Sequence, residues 1–318
     1  MKKKATTCLT HTATIELSLE TPPCGPTLRL ETTHERAYAV RCAKSVPIPD
    51  TIRANGPSAV TDSFVAYVDS NQKKINVFDH SLNWLYAIEG GSRPFLKETL
   101  PTSIQVAGGQ DDLLWVSDIY AHTLFYIDLK SRKVISEHTV ENDHGAACAT
   151  QLFNVAGGIC AAVFSSYASK PNQGSLYWFS GENWDDRHPL HLKDAYGSSY
   201  FPTVMTEGNS GIAAYDAHGY KSKQRHEILF FSKDFHYLKS APTSPLRLEY
   251  PATMKYSPAQ GVFYAVDAIH LSVLMLDENL RFLRFLTEKK QSHIGYPQVI
   301  KEAMVVYNFK ENTFDIFE

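Results

Sequence analysis

The chain has 318 residues, 43% of them hydrophobic, and its 31 Lys and Arg against 34 Asp and Glu leave a formal net charge of −3. That balance provides no clustered basic surface of the kind nucleic-acid binding needs. No apolar run approaches the roughly 18 residues that span a bilayer, so neither a nucleic acid nor a membrane is expected as a partner.

The start, Met1-Lys-Lys-Lys4, resembles the charged region of a signal peptide. Ala5–Thr14 is rich in threonine and includes His11, so no apolar region follows it. The expectation is a soluble, cytoplasmic protein. Five cysteines, Cys8, Cys24, Cys42, Cys148 and Cys160, are an odd number without CxxC spacing. They read as free thiols packed as small apolar residues, not as a zinc site or a disulfide framework.

Met1–Pro49 is the least regular part. Thr12–Leu19, Thr27–Leu30 and Ala37–Arg41 are candidate strands, and Pro22-Pro23-Cys24-Gly25-Pro26 interrupts them. Pro47, Pro49 and Gly56-Pro57 form the link into the first full repeat. Val65–Ala87 then reads as three short strands, since β-branched and aromatic residues alternate between turn clusters.

This unit recurs with fixed spacing. An apolar run ends in a small polar residue, an apolar residue follows about six positions on, and a second polar residue follows at about ten. Asp69, Ile75, Phe78 and Asp79 fit, as do Asp118, Leu124, Ile127 and Asp128. Asp267, Val273, Leu276 and Asp277 fit, and so do Asn308, Phe314, Phe317 and Glu318. Two copies carry longer loops, Ser165 to Ser180 and Asp216 to Ser232. Each copy is preceded by another strand, often opened by proline, as at Leu100-Pro101, Phe201-Pro202, Tyr250-Pro251 and Tyr296-Pro297. A period of roughly fifty residues is the size of a propeller blade.

The blades fall near 58–99, 100–143, 144–198, 199–247, 248–293 and 294–318. Helix signal is almost absent; Phe282–Lys290 sits where an outer strand belongs. The last copy has three strands, which would leave an open edge. Thr12–Leu19 or Ala37–Arg41 is expected to supply the fourth. The fold class is therefore all-β, a six-bladed β-propeller in one domain, its ring closed by an N-terminal strand. Thr27–Asp50 would make a seventh blade but lacks the repeat signature.

In such a ring the loops between second and third strands share a face with the starts of the innermost strands. The loop corners are Asp69, Asp118, Ser165, Asp216, Asp267 and Asn308. The strand starts bring Glu98, His144, Tyr200, Glu249, Tyr250, His293 and Tyr296 to the same mouth. Carboxylates, imidazoles and phenols around one opening mark the place for a small-molecule ligand. The two long loops come from neighbouring blades and add Tyr167, Lys170, His218, Tyr220 and Arg225.

Asp216, His218, His144 and Tyr296 are the catalytic candidates, the imidazoles because they titrate near neutral pH. Tyr167, Tyr200, Tyr220, Tyr250, His293, Asp118 and Asp267 are the substrate-binding candidates. A corner aspartate also has a purely structural use, capping the backbone of the loop that follows it. Oxygen ligands around an axis would suit calcium or another divalent metal, but the sequence holds no compact ligand motif, so no metal residue is assigned and no cofactor is expected. There is no GxSxG, P-loop or dinucleotide fingerprint.

Val68-Asp-Ser-Asn-Gln-Lys-Lys74-Ile-Asn-Val-Phe-Asp79 resembles an NHL-type repeat, with Lys74 where that family usually has arginine. The signature spans Ser58 to Glu318 and extends to gluconolactonase-like and strictosidine-synthase-like six-bladed propellers. Lactonases of that kind carry Glu-Gly-Pro in the first blade for their metal, whereas this chain has Asn55-Gly-Pro57. The chain also resembles fungal biosynthetic propellers, some of them cofactor-free cyclases of the hetero-Diels–Alderase kind, in its length, in the expected lack of a secretion signal and in its aromatic-rich predicted mouth. The resemblance implies a cyclase, isomerase or lyase acting by orientation and a few hydrogen bonds. A metal-dependent lactonase-type hydrolase and a non-catalytic protein-binding scaffold are the alternatives. Bound-metal content separates the first two, and a flat mouth would favour the third.

Overall fold

The computed structural model describes residues 12–17, 28–33, 44–69, 71–88, 101–106, 112–118, 121–142, 145–165, 174–216, 227–243, 251–267, 272–286 and 297–317. Among them, Ser58–Val60, Val65–Asp69, Lys74–Phe78 and Trp84–Ile88 pair in order as blade 1. Blade 2 consists of Pro101–Val106, Leu113–Asp118, Thr123–Asp128 and Lys133–Thr139. Blade 3 holds Gly145–Val155, Gly158–Ser165, Ser175–Phe179 and His188–Leu190, with Glu141–Asn142 added at its inner edge. Blade 4 is Val204–Glu207, Ile212–Tyr215, Glu227–Phe231 and Tyr237–Pro242. Pro251–Ser257, Val262–Asp267, Ser272–Asp277 and Phe282–Phe285 make blade 5. Blade 6 is Gln298–Ile300, Ala303–Asn308 and Thr313–Phe317, completed by Lys44–Pro47.

The innermost strands touch in one circuit, blade 1 to 2, 2 to 3, and on to 6, which returns to blade 1. The chain is a closed six-bladed propeller. Between consecutive blades lies an apolar cluster, one for each of the six spaces. Middle strands are covered on both faces by these clusters; Val65–Asp69 and Val262–Asp267 are buried at every residue.

The repeat signature has a physical reading at each position. The apolar residues of the third strand, Ile75, Phe78, Leu124, Ile127, Val273, Leu276, Phe314 and Phe317, are all buried. The polar residue that follows caps the next turn. Asp79 Oδ1 accepts the N–H groups of Ser81 and Asn83 at 2.8 and 2.9 Å, and Asp277 Oδ1 accepts those of Asn279 and Arg281 at 2.8 Å each. These turns place a left-handed residue where glycine is usual. Here it is Leu82 (φ 67°), Phe235 (φ 63°) and Leu280 (φ 63°). Leu82 and Leu280 are buried against the clusters of their blades, and that burial offsets the strain.

After each such turn the outer strand is bulged. The extra residue is Leu85, Ile135, Leu238 or Leu283 in blades 1, 2, 4 and 5, and each is exposed.

The ring closes through the N-terminal region, as expected, but the segment is different. Thr12–Leu17 pairs with Leu28–Thr33 in a two-stranded ribbon of its own, and Ala37–Arg41 lies outside the described residues. The closing strand is Lys44–Pro47, antiparallel to Thr313–Phe317 with Val46 opposite Phe314. An outermost strand tolerates Pro47 because that position has no further neighbour to receive a ladder bond.

Its anchor is a polar clasp. Asn312 (φ 51°) donates from Nδ2 to the carbonyls of Ile48 and Pro49, both at 3.2 Å, and accepts the Tyr307 hydroxyl at 2.6 Å. Ser45 Oγ adds a 2.7 Å bond to Asp315. Under the clasp Phe314 meets Tyr67 and Phe78 at ring separations of 5.0 and 5.1 Å. At the axis Gln298 Nε2 reaches the carbonyl and hydroxyl of Ser58 at 2.7 and 2.8 Å.

Blades 1 and 2 are joined through the buried carboxylate of Asp112. Asp112 accepts the Thr61 hydroxyl at 2.6 Å and the Ser63 N–H at 3.2 Å, and Lys130 Nζ lies 2.8 Å from Oδ2. Burial raises the Asp112 carboxyl pKa, but these partners outweigh it and hold the value below the usual range.

Asn312→Ala is expected to lower stability by about 2–4 kcal/mol, the loss of several buried hydrogen bonds; Lys310→Ala, on the exposed side of the same turn, serves as the control in urea denaturation. Because the folded Asp112 carboxyl titrates below its unfolded value of about 3.9, its contribution is complete above that pH and lost as pH falls through the folded value. The stability gap between wild type and Asp112→Asn should therefore shrink between pH 5 and pH 2, which denaturation curves across that range will measure.

Candidate active site

Every predicted loop corner stands where the repeat rule puts it. Asp69, Asp118, Ser165, Asp267 and Asn308 each end a second strand, and Asp216 follows the end of one. All six therefore share one end of the ring axis. Asp69, Asp118 and Asp267 are fully buried and Asp216 is 5% exposed. The long loops depart from this rim, between Ser165 and Ser175 in blade 3 and between Asp216 and Glu227 in blade 4.

Where their partners are seen, the corner side chains cap loops. Asp69 Oδ1 accepts the N–H groups of Asn71 and Gln72 at 3.0 and 2.9 Å. Asp118 Oδ1 accepts that of Ala121 at 3.0 Å. Asn308 Oδ1 takes those of Lys310 and Glu311 at 3.1 and 3.2 Å. An ionised carboxylate bound in this way still presents a second oxygen, so capping and ligand contact are compatible uses of one side chain.

Of the predicted site residues, the structure brings Tyr200 and Asp216 together. Tyr200 is 3% exposed and donates its hydroxyl to the Ala214 carbonyl at 3.1 Å. Burial first, and then the neighbouring Asp216 carboxylate, push its pKa well above the ordinary phenol value. Tyr200 thus stays neutral and holds in place the strand that ends beside Asp216. Thr203 fixes the same strand end, its N–H and hydroxyl reaching the Tyr215 carbonyl at 2.7 and 3.2 Å.

His144, Tyr167, His218, Tyr220, Tyr250, His293 and Tyr296 lie outside the described residues. Among the described residues no three His, Cys, Asp or Glu side chains converge on a metal-sized site, so the corner carboxylates stand around the axis without meeting. At the opposite end of the ring a groove of about 690 Å³ opens between blades 6 and 1, lined by Lys44, His80, Leu82, Lys301, Glu302 and Ile316 among others. His80 uses Nε2 on the Thr61 carbonyl at 2.8 Å there. One polar residue of an innermost strand, Lys255, was not singled out in the sequence. Its signal was the alternation in Thr253-Met-Lys-Tyr-Ser257, which puts Thr253, Lys255 and Ser257 on one side.

The closed circuit of innermost strands defines the class, a six-bladed β-propeller. No family model matches the sequence, and no curated protein matches it. Solved structures do. Virginiamycin B lyase from Staphylococcus aureus aligns with a TM-score of 0.57 at 10% identity, over 86% of this chain and 99% of that one. The luciferin-regenerating enzyme aligns at 0.56 and 9% identity, over 86% and 95%. A chain of the mitotic checkpoint complex aligns at 0.59 and 8% identity, over 97% and 99%. At such identities the likeness is one of fold, and that fold is shared by enzymes, a lyase among them. Among the described residues no helix is long and apolar enough to cross a membrane.

If the Asp69 carboxylate serves its loop, Asp69→Ala should cost about 1–2 kcal/mol, the scale of a lost cap. Asp69→Asn keeps the Oδ1 acceptor and should recover most of it. Thermal melts of the three proteins provide the check.

Proposed function

We propose that the chain is a small-molecule enzyme whose substrate sits at the rim of the axis marked by Asp118, Asp216 and Asp267, and that it carries out a cofactor-free cyclisation, isomerisation or lyase reaction. A pericyclic or hetero-Diels–Alder closure in secondary metabolism is the kind of reaction meant. One observation carries this reading: four buried aspartates, from four blades, at one axial end. Repetition alone explains a capping residue at each corner. It does not explain why the loops between second and third strands are lengthened in two neighbouring blades, 3 and 4.

The chemistry follows from the groups assigned. Asp216 is the hydrogen-bond acceptor and proton carrier, next to a strand end that Tyr200 and Thr203 fix through the Ala214 and Tyr215 carbonyls. His144 and His218 supply an acid–base pair that titrates in the working range of pH, and Tyr296 orients a substrate oxygen. Tyr167, Tyr220, Tyr250 and His293 are assigned, from the sequence, to substrate binding. Orientation in a dry site supplies much of the acceleration, and a few fixed hydrogen bonds supply charge stabilisation.

The test is a panel of apolar lactones, macrocyclic esters and polyenes, followed by mass spectrometry. An isomerase, cyclase or intramolecular lyase leaves the mass of its substrate unchanged. A mass-neutral product that persists in chelator is expected. Asp216→Ala should then reduce turnover by at least about a hundredfold, the usual weight of a proton-transfer group, with its melting temperature close to wild type. A product heavier by one water, lost on chelation, would instead establish the metal-dependent hydrolase. Turnover that survives alanine at Asp216, His218, His144 and Tyr296 would show the site to be wrongly assigned.

A further inference from the structure

Blade 5 starts with the strand Pro251–Ser257, flanked by the innermost strands of blades 4 and 6. Met254 and Tyr256 point to one side and join the cluster shared with blade 4. Thr253, Lys255 and Ser257 occupy the other side. Lys255 sits directly across from Tyr264, which belongs to the cluster shared with blade 6. With a blade on either side and its own blade behind, a mid-strand residue here has the axis as its only opening. Lys255 is only partly buried on this innermost strand.

Among the described residues the lysine has no counter-ion. No carboxylate, carbonyl or ring among the described residues contacts its ammonium group. Charged groups on the packed elements are occupied elsewhere. Glu207 of blade 4 pairs with Lys233 at 2.8 Å and turns toward blade 3, where it accepts the Ala156 N–H. Tyr264 gives its hydroxyl to Gln260, and Tyr256 gives its own to Glu278. Gln298–Ile300 of blade 6 holds no titratable side chain. Burial with no compensating anion pushes the Lys255 pKa down to about 8. Two residues on, the hydroxyl of Ser257 is fully buried and also lacks a partner among the described residues.

An unsatisfied hydroxyl and an uncompensated cation on adjacent same-side positions, on a strand that touches the Val299-bearing innermost strand of blade 6, are costly unless something completes them. We propose that Lys255 and Ser257 form a binding site on the ring axis for the anionic group, a carboxylate, sulfonate or enolate, of an otherwise apolar small molecule. Lys255 neutralises the charge and Ser257 donates the accompanying hydrogen bond, while Val299 and the stem of Lys255 cover the apolar body. This names the substrate class for the proposed activity and rests on the reading that the axis admits a small molecule.

Two fluorescent probes test it by binding, without turnover: the anion 8-anilinonaphthalene-1-sulfonate and its uncharged counterpart N-phenyl-1-naphthylamine. Lys255→Met should weaken the anion by about tenfold or more, Lys255→Arg by no more than about threefold, and neither should alter the uncharged probe. Wild-type affinity for the anion should be about tenfold lower at pH 9 than at pH 7, since the lysine loses its proton across that range. That loss should be absent in Lys255→Arg. Equal binding of the anion by wild type and Lys255→Met would overturn the proposal, as would a parallel loss of both probes.

Should Lys255→Met not fold, trinitrobenzenesulfonate labelling of the wild type decides. Labelling of Lys255 with a midpoint near pH 8, blocked by the anionic probe, supports the site. Failure to label it, or labelling that the probe does not block, overturns it. Lys255-dependent binding in a protein without turnover would defeat the enzyme reading and leave this site standing. Turnover alongside Lys255-independent binding would do the reverse.

Discussion

Closure of the ring is the constraint on which the rest depends. Six radial sheets bury their faces only against one another, so each apolar cluster needs two blades. The blade that completes the circuit is assembled from both ends of the repeat region, and the Ser45–Asp315 bond spans 270 residues. Loop-closure entropy makes so distant a contact slow to form and unrewarded until most of the chain is in place. The Asn312 clasp and the Phe314, Tyr67 and Phe78 cluster are concentrated at this joint because it has no covalent connection of its own.

The same geometry decides how side chains are used. In an ordinary sandwich one face of each strand is wet and alternation reads directly. In these blades both faces meet a neighbour, and the middle strands are buried throughout. Polar groups then occur at turns, where they cap; between blades, as with Thr61 and Asp112; and between innermost strands, as with Ser58 and Gln298. Lys255 and Ser257 of blade 5 have no partner among the described residues, and the proposed anion site rests on them.

Much of this architecture was legible in the residues. Blade boundaries and loop corners followed from one spacing rule, because a capping residue is needed at the same two bends of every blade. The closing strand was not legible. Lys44-Ser-Val-Pro47 is too short to show a period, contains proline, and takes its meaning from a partner at the far end of the chain. Tyr200 showed the limit of reading a site from position alone. It starts at the rim as expected, yet its hydroxyl is committed to Ala214, and no pattern distinguishes a phenol facing the axis from one facing the next blade. Lys255 was missed for the converse reason, since a lysine in an alternating strand normally signals solvent.

The displaced residues Leu85, Ile135, Leu238 and Leu283 give the circumference a character of its own. A perimeter strand with straight, unbroken backbone would offer passing chains a template to extend. Here the template is interrupted in four of the blades at the same step, and a greasy side chain stands at the break. Two rings that meet side-on at any of these four blades would touch through the knobs and find the row of amides broken at that step.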